Sequence, residues 1–187
     1  MKVLSIETVN LKAMNVKIFI IGIVLAGCIL SSCNKGENSI DEKKWENKIT
    51  ELYQHNEQKI SITEGTSGTL TLTEGNCMPV ISDGGNNSCK EYPVKRTIKV
   101  YEYTKLEQTN HEITIFHEVN TKLITTIVCD EEGFFQVSLP AGVYSLFIEE
   151  KGTLYANSFD GYGGIQPVLI EPEKVSKIYL RIDYAVY

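Results

Sequence analysis

From Ser67 onward, stretch after stretch carries apolar residues at every second position, and this period of two restricts the chain to β-structure. Leu70 and Leu72 alternate with threonines, Ile98 and Val100 with Thr97 and Lys99, and Ile113 and Ile115 with Glu112 and Thr114. Leu123, Thr125 and Ile127 follow, then Phe135, Val137 and Leu139, then Tyr144, Leu146 and Ile148. The pattern ends at Ile178, Leu180, Ile182 and Tyr184. Successive side chains of a strand point to opposite faces, so each stretch predicts a half-buried strand, apolar side inward. Turn signals separate them. Asp130-Glu131-Glu132-Gly133 suits a type I turn closed by a glycine at positive φ, and Leu139-Pro140-Ala141-Gly142 places proline at a turn's first corner. Gly133 and Gly142 are expected to let the chain reverse direction. Seven or eight such strands predict an all-β fold, an antiparallel β-sandwich.

Ahead of the strands the period is 3.6. Trp45, Ile49, Leu52 and Tyr53 fall on one face of a helix predicted over Asp41 to Gln54, with Ser39 or Asp41 as its cap. Trp45, the single tryptophan, is expected to anchor that helix to the domain.

The N-terminus follows a third rule. Ile18 to Leu30 is apolar for thirteen residues, preceded by Lys17 and followed by Ser31-Ser32-Cys33. A spanning helix needs roughly 20 apolar residues. A short apolar run behind a basic start and ahead of small residues is the layout of a secretory signal. The residues after it resemble the lipobox of bacterial lipoproteins, Leu-small-small-Cys, at two places: Leu25-Ala26-Gly27-Cys28 and Leu30-Ser31-Ser32-Cys33. Were translation to start at Met14, cleavage before Cys28 would leave a signal of fourteen residues and cleavage before Cys33 nineteen. The longer signal favours Cys33 as the lipidated residue, with Cys28 the alternative. In lipoproteins that cysteine carries acyl chains, and more than one chain is what stable anchoring requires. The expected partner is therefore a lipid membrane, and the expected location is outside the cell proper, on the periplasmic or surface face of the outer membrane. Asn34 to Ser39 reads as a polar tether. Lys35-Gly36-Glu37 loosely resembles a surface-export signal.

Residues 1–32 thus form the predicted signal peptide, 33–65 the lipid-anchored tether and short helix, and 66–187 the sandwich. Loss of residues 1–32 removes Lys2, Lys12, Lys17 and Glu7 and takes the net charge from −6 to −8. That excludes nucleic acid as a partner, because binding it needs a basic face.

The stretch Val128-Cys129-Asp130-Glu131-Glu132-Gly133-Phe134-Phe135-Gln136-Val137, running into Ser138-Leu139-Pro140-Ala141-Gly142-Val143-Tyr144-Ser145-Leu146, resembles a known signature. It is that of carboxypeptidase regulatory-like domains, the transthyretin-like sandwiches related to collagen-adhesin B-type modules. Cys129 departs from it, standing where Thr or Ser is usual. The resemblance implies a transthyretin-like β-sandwich over Gly68 to Tyr187. It also implies a companion or adhesion module and not an enzyme, with no cofactor.

Candidate sites are few. Export exposes cysteines to oxidation, and Cys77 and Cys89 bracket a turn-rich loop, so a disulfide between them is expected. Cys129 is left as a small buried hydrophobe; lipidation at Cys28 would instead leave Cys33 and an even count. His55, His111 and His117 have no spacing suited to a nucleophile–base pair or a zinc site. Asp160-Gly161-Tyr162-Gly163-Gly164 reads as a tight turn before it reads as a calcium loop. A self-formed crosslink from Asp183 fails because the first strand, Thr69 to Thr73, has no lysine. Tyr101, Tyr103, Tyr155, Tyr162 and Tyr187 could supply a sugar-binding surface. The expected function is a membrane-anchored, non-catalytic binding or structural module. A carbohydrate-binding accessory lipoprotein and a subunit of a surface assembly are the alternatives, and the glycan or protein ligand is unnamed.

Overall fold

The alternating stretches become strands of two stacked sheets. The computed structural model describes residues 44–79 and 88–187. The signal segment, Cys28, Cys33 and the tether through Lys43 lie outside the described residues, as does most of the loop between Cys77 and Cys89. No helix among the described residues is long and apolar enough to cross a membrane.

The smaller sheet is built on β1 (Gly65–Glu74). Along one edge, β1 pairs in parallel with β11 (Val175–Asp183), from Gly65 opposite Val175 to Thr73 opposite Asp183. Along its other edge it pairs antiparallel with two short strands, β7 (Phe134–Val137) beside Thr66–Thr69 and β2 (Lys90–Pro93) beside Thr71–Glu74. The larger sheet holds β3 (Thr97–Glu102), β4 (Thr109–Glu112), β5 (Ile115–Val119), β6 (Leu123–Val128), β8 (Gly142–Glu150), β9 (Thr153–Tyr155) and β10 (Pro167–Ile170). Its order is β4-β5-β9-β8-β3-β6, with β10 sharing the β9 edge of β8. All these pairs are antiparallel. The fold is an all-β sandwich, as the alternation predicts, though the long β1–β11 pair is parallel.

Side chains of one parity on each sheet meet between the layers: Leu70, Leu72, Phe135, Leu180 and Ile182 from the smaller, Ile98, Val100, Leu146, Ile148 and Ile170 from the larger. Gly68 is required there, because an added Cβ would lie 2.7 Å from the Phe135 ring and 2.2 Å from the Ile178 carbonyl. Residues of the opposite parity build a second, smaller core on the far side of the larger sheet. Phe147 there meets Phe116 edge-on at 5.1 Å, with Leu154, Ala156 and Ile165 around them.

Three expectations change. Ile113 is not an inward strand residue: the stretch breaks there into the β4–β5 hairpin, and Ile113 sits at the turn, 88% exposed, with φ 52°. Gly142 does not turn the chain through positive φ; it opens β8, and residues 138–141 carry the chain from one sheet to the other. The Tyr144 hydroxyl closes that crossing on the Pro140 carbonyl at 3.1 Å. Gly133 does turn the chain, at φ 69°, with its N–H on the Asp130 carbonyl.

The predicted helix is interrupted and runs on past Gln54: Lys44 and Trp45 are helical, the path breaks over residues 46–48, and the candidate caps Ser39 and Asp41 lie outside the described residues. α1 spans Ile49–Glu57, and Asn47, at φ 58°, breaks the helical path from Trp45 by donating its backbone N–H to the Glu91 carbonyl. It packs on the outer face of the smaller sheet. Leu52 is fully buried there, and Asn56 donates to the Thr69 hydroxyl at 3.0 Å. Thr69, Thr71 and Thr73, the polar parity of β1, are therefore buried. The described residues form three layers: helix, small sheet, large sheet.

Candidate functional site

The helix layer creates two places where polar side chains converge. The first is a clamp centred on Glu132, in the turn before β7. Its carboxylate accepts from Lys44 Nζ (3.0 Å), Trp45 Nε1 (2.9 Å) and His55 Nε2 (2.8 Å), and pairs with Lys59 at 2.7 Å. Its backbone carbonyl accepts from Asn56 Nδ2. Burial alone would push the Glu132 carboxyl up, but these donors outweigh it and hold it well below the usual carboxylate range. Trp45 thus anchors the segment as expected, by its indole N–H as well as its ring. Every partner comes from 44–59, so the clamp fastens the helix layer to the sandwich.

The second is an open groove of about 440 Å³ between α1 and the loop that leads from β9 to β10. Small-molecule sites are concavities of roughly 300–1,000 Å³. One wall is aromatic. Tyr53, on the face of α1 turned to the sheet, stacks on Tyr179 of β11 with ring centroids 4.0 Å apart and planes 22° apart. Ile49 and Leu180 extend the apolar part. Across from them stand Asn157, Ser158 and Gln166; Glu91 of β2 and Arg181 of β11 complete the lining.

Each planar polar group is held in place. Thr71 donates to Glu91 Oε1 at 2.7 Å, and Arg181 pairs with Asp183 at 3.2 Å. Asn157 Nδ2 donates to the Arg181 carbonyl at 3.0 Å, and Gln166 Nε2 to the Leu146 carbonyl at 2.9 Å. The Tyr53 hydroxyl registers both charges: burial pushes its pKa up, Glu91 adds to the rise and Arg181 opposes it. Fixed, paired donors and acceptors beside an exposed ring can bind a polar ligand at little ordering cost.

The sequence-predicted residues distribute as follows. Cys77 and Cys89 form the expected disulfide, tying the end of β1 to the start of β2. Cys129 is buried and free, and burial pushes its thiol up to about 12. His111 lies on β4 with Nδ1 on the Thr109 hydroxyl, and His117 lies on β5, 3.9 Å from Glu112. The Asp160 segment is a tight turn, with Oδ1 accepting from the N–H of Tyr162 and of Gly164. The five tyrosines form no common surface: Tyr155 is in the main core, Tyr101 packs edge-on against Phe147, and Tyr103 donates to Asp160. Tyr162 and Tyr187 are exposed. The aromatic pair of the groove, Tyr53 with Tyr179, was missed. Its signal was outward parity on β11 facing a helical stripe, legible once the two elements are known to pack.

No family model matches the chain, and no curated protein does. A solved structure, "Crystal structure of (S)-allantoin synthase", aligns at 14% identity over 67% of this chain and 43% of that one, with a TM-score of 0.26. The chain therefore spans less than half of that protein, and so low a score carries no argument.

Proposed function

We propose that this chain is a membrane-anchored envelope lipoprotein whose sandwich serves as a non-catalytic binding or structural module. The observation that carries the reading is the Cys77–Cys89 disulfide. Structural disulfides belong to oxidising compartments, which is where a signal ending at Cys33 or Cys28 would deliver the protein. The likeness of residues 128–146 to carboxypeptidase regulatory-like domains supports a companion module of transthyretin-like type. The held side chains of the groove support binding as its task. Assembly by strand exchange has less support: on the outer edge of β11, the Arg181 carbonyl and the Asp183 N–H are taken by Asn157 and the Tyr155 hydroxyl.

The test is labelling with radioactive palmitate in a bacterial host that processes lipoproteins. The expected result is a labelled product lacking residues 1–32, with label lost in Cys33→Ala and retained in Cys28→Ala. The reverse pattern moves the anchor to Cys28. An unlabelled product that keeps its first thirty residues overturns the lipoprotein reading.

A further inference from the structure

We propose that the groove between α1 and the β9–β10 loop is a binding site for a neutral oligosaccharide; this deepens the binding-module reading and rests on it. A sugar ring has an apolar face of C–H groups and a rim of hydroxyls that both donate and accept. It is matched by an aromatic face flanked by planar, two-atom hydrogen-bonding groups. Tyr179 offers the ring: it is 49% exposed, stacks on Tyr53 and donates its hydroxyl to Glu57, so its orientation is set before a ligand arrives. Glu91, Arg181 and Asn157 supply the planar groups, each already fixed by a bond to the fold. With Oε1 of Glu91 engaged by Thr71 and one guanidinium nitrogen of Arg181 engaged by Asp183, a carboxylate oxygen and further N–H groups remain for neighbouring hydroxyls.

Charge selects for neutrality. Glu91 and Arg181 bring opposite charges to the same lining, so a ligand of either sign meets repulsion as well as attraction there. A peptide added as an extra strand is disfavoured, because the β11 edge bordering the groove is closed at Arg181 and Asp183. A purely apolar ligand would strip water from fixed polar groups without replacing its hydrogen bonds.

The experiment follows backbone amide shifts of the isotope-labelled full chain during titration with neutral hexasaccharides of glucose, of mannose and of galactose. Saturable shifts at Ser158, Tyr179 and Arg181 are expected with at least one of them. Arg181→Ala and Tyr179→Ala should each weaken that binding about tenfold, the loss expected for one charge-assisted or stacking contact. Ser158→Ala, which removes a lining hydroxyl that makes no hydrogen bond to the rest of the described fold, keeps the test open if the others unfold; it should weaken binding severalfold. Sugar binding that all three variants leave unchanged overturns the inference. If mixed peptides shift these amides and no sugar does, the oligosaccharide assignment falls while the binding-module reading stands. If neither ligand class shifts them, both the assignment and the groove's part in binding fall.

Discussion

At the scale of single residues, the strongest local commitment is Glu132. Its donors are delivered from the opposite side of a layer boundary, so nothing in its neighbourhood along the chain, a run of acids in a turn, marks it out. Its folded pKa is depressed, which fixes the sign of its pH dependence. Unfolded, it titrates near the ordinary glutamate value of about 4.3. The stability it contributes is therefore complete above that value and is lost as pH falls from there toward the folded pKa. Glu132→Gln should cost about 1–3 kcal/mol at neutral pH and should flatten the acid limb of a plot of melting temperature against pH. An acid limb as steep as wild type in that variant would remove the clamp from the account of acid stability. Cys129 is the opposite case, a residue whose fate was legible. Its raised thiol pKa, about 12, leaves almost no thiolate at neutral pH. Ellman's reagent should detect no fast thiol in the folded protein and should detect Cys129 after denaturation.

At the scale of elements, legibility follows length. β1, β3, β8 and β11 run six to ten residues and place three or more side chains on each face, so their alternation stands out. β2, β9 and β10 have three or four residues, with at most two inward side chains, and two points define no period. The expected seven or eight strands become eleven among the described residues, through these three and the split of the Ile113–Ile115 stretch into β4 and β5. Ile113 shows a second limit: a β-branched residue at positive φ is a costly turn former, so sequence favours a strand where tertiary pairing of β4 with β5 imposes a hairpin. Gly133 is the reverse, a turn both predicted and present. Gly133→Ala forces a Cβ to within 2.2 Å of the Leu70 carbonyl at an unfavourable φ and should destabilise by more than about 1 kcal/mol, read by chemical denaturation. The disulfide acts at this scale too. Cys77 also donates its N–H to the Val186 carbonyl, so the bridge lies where β1, β2 and the C-terminal tail meet. Replacing both cysteines by alanine should cost about 2–5 kcal/mol. A melting temperature unchanged by the double replacement would mean that the tail contacts alone hold this corner.

At the scale of the whole molecule, what the sequence obscured was the layering. The alternation assigns Leu70 and Leu72 to a core and the β1 threonines to water, whereas those threonines face α1. The candidate groove was illegible for the same reason, since it exists only where the helix layer stops short of the β9–β10 loop. The two interfaces differ in chemistry. The sheet–sheet core is apolar throughout its centre, while the helix–sheet interface combines Leu52, the Trp45 ring and the Tyr53–Tyr179 stack with hydrogen bonds from Asn56 and the Glu132 clamp. An interface that relies this much on polar contacts is the first to open, because they exchange for water at small net cost. Leu52→Ala should therefore lower the opening free energy of α1 by at least about 2 kcal/mol, a roughly 30-fold faster hydrogen exchange at its amides. Exchange at the central amides of β3 and β8 should be unaltered, because their side chains pack on the other side of the smaller sheet. Equal acceleration in β8 would show that helix and sandwich open as one cooperative unit, and that the third layer is part of the core and not a removable wall of the groove.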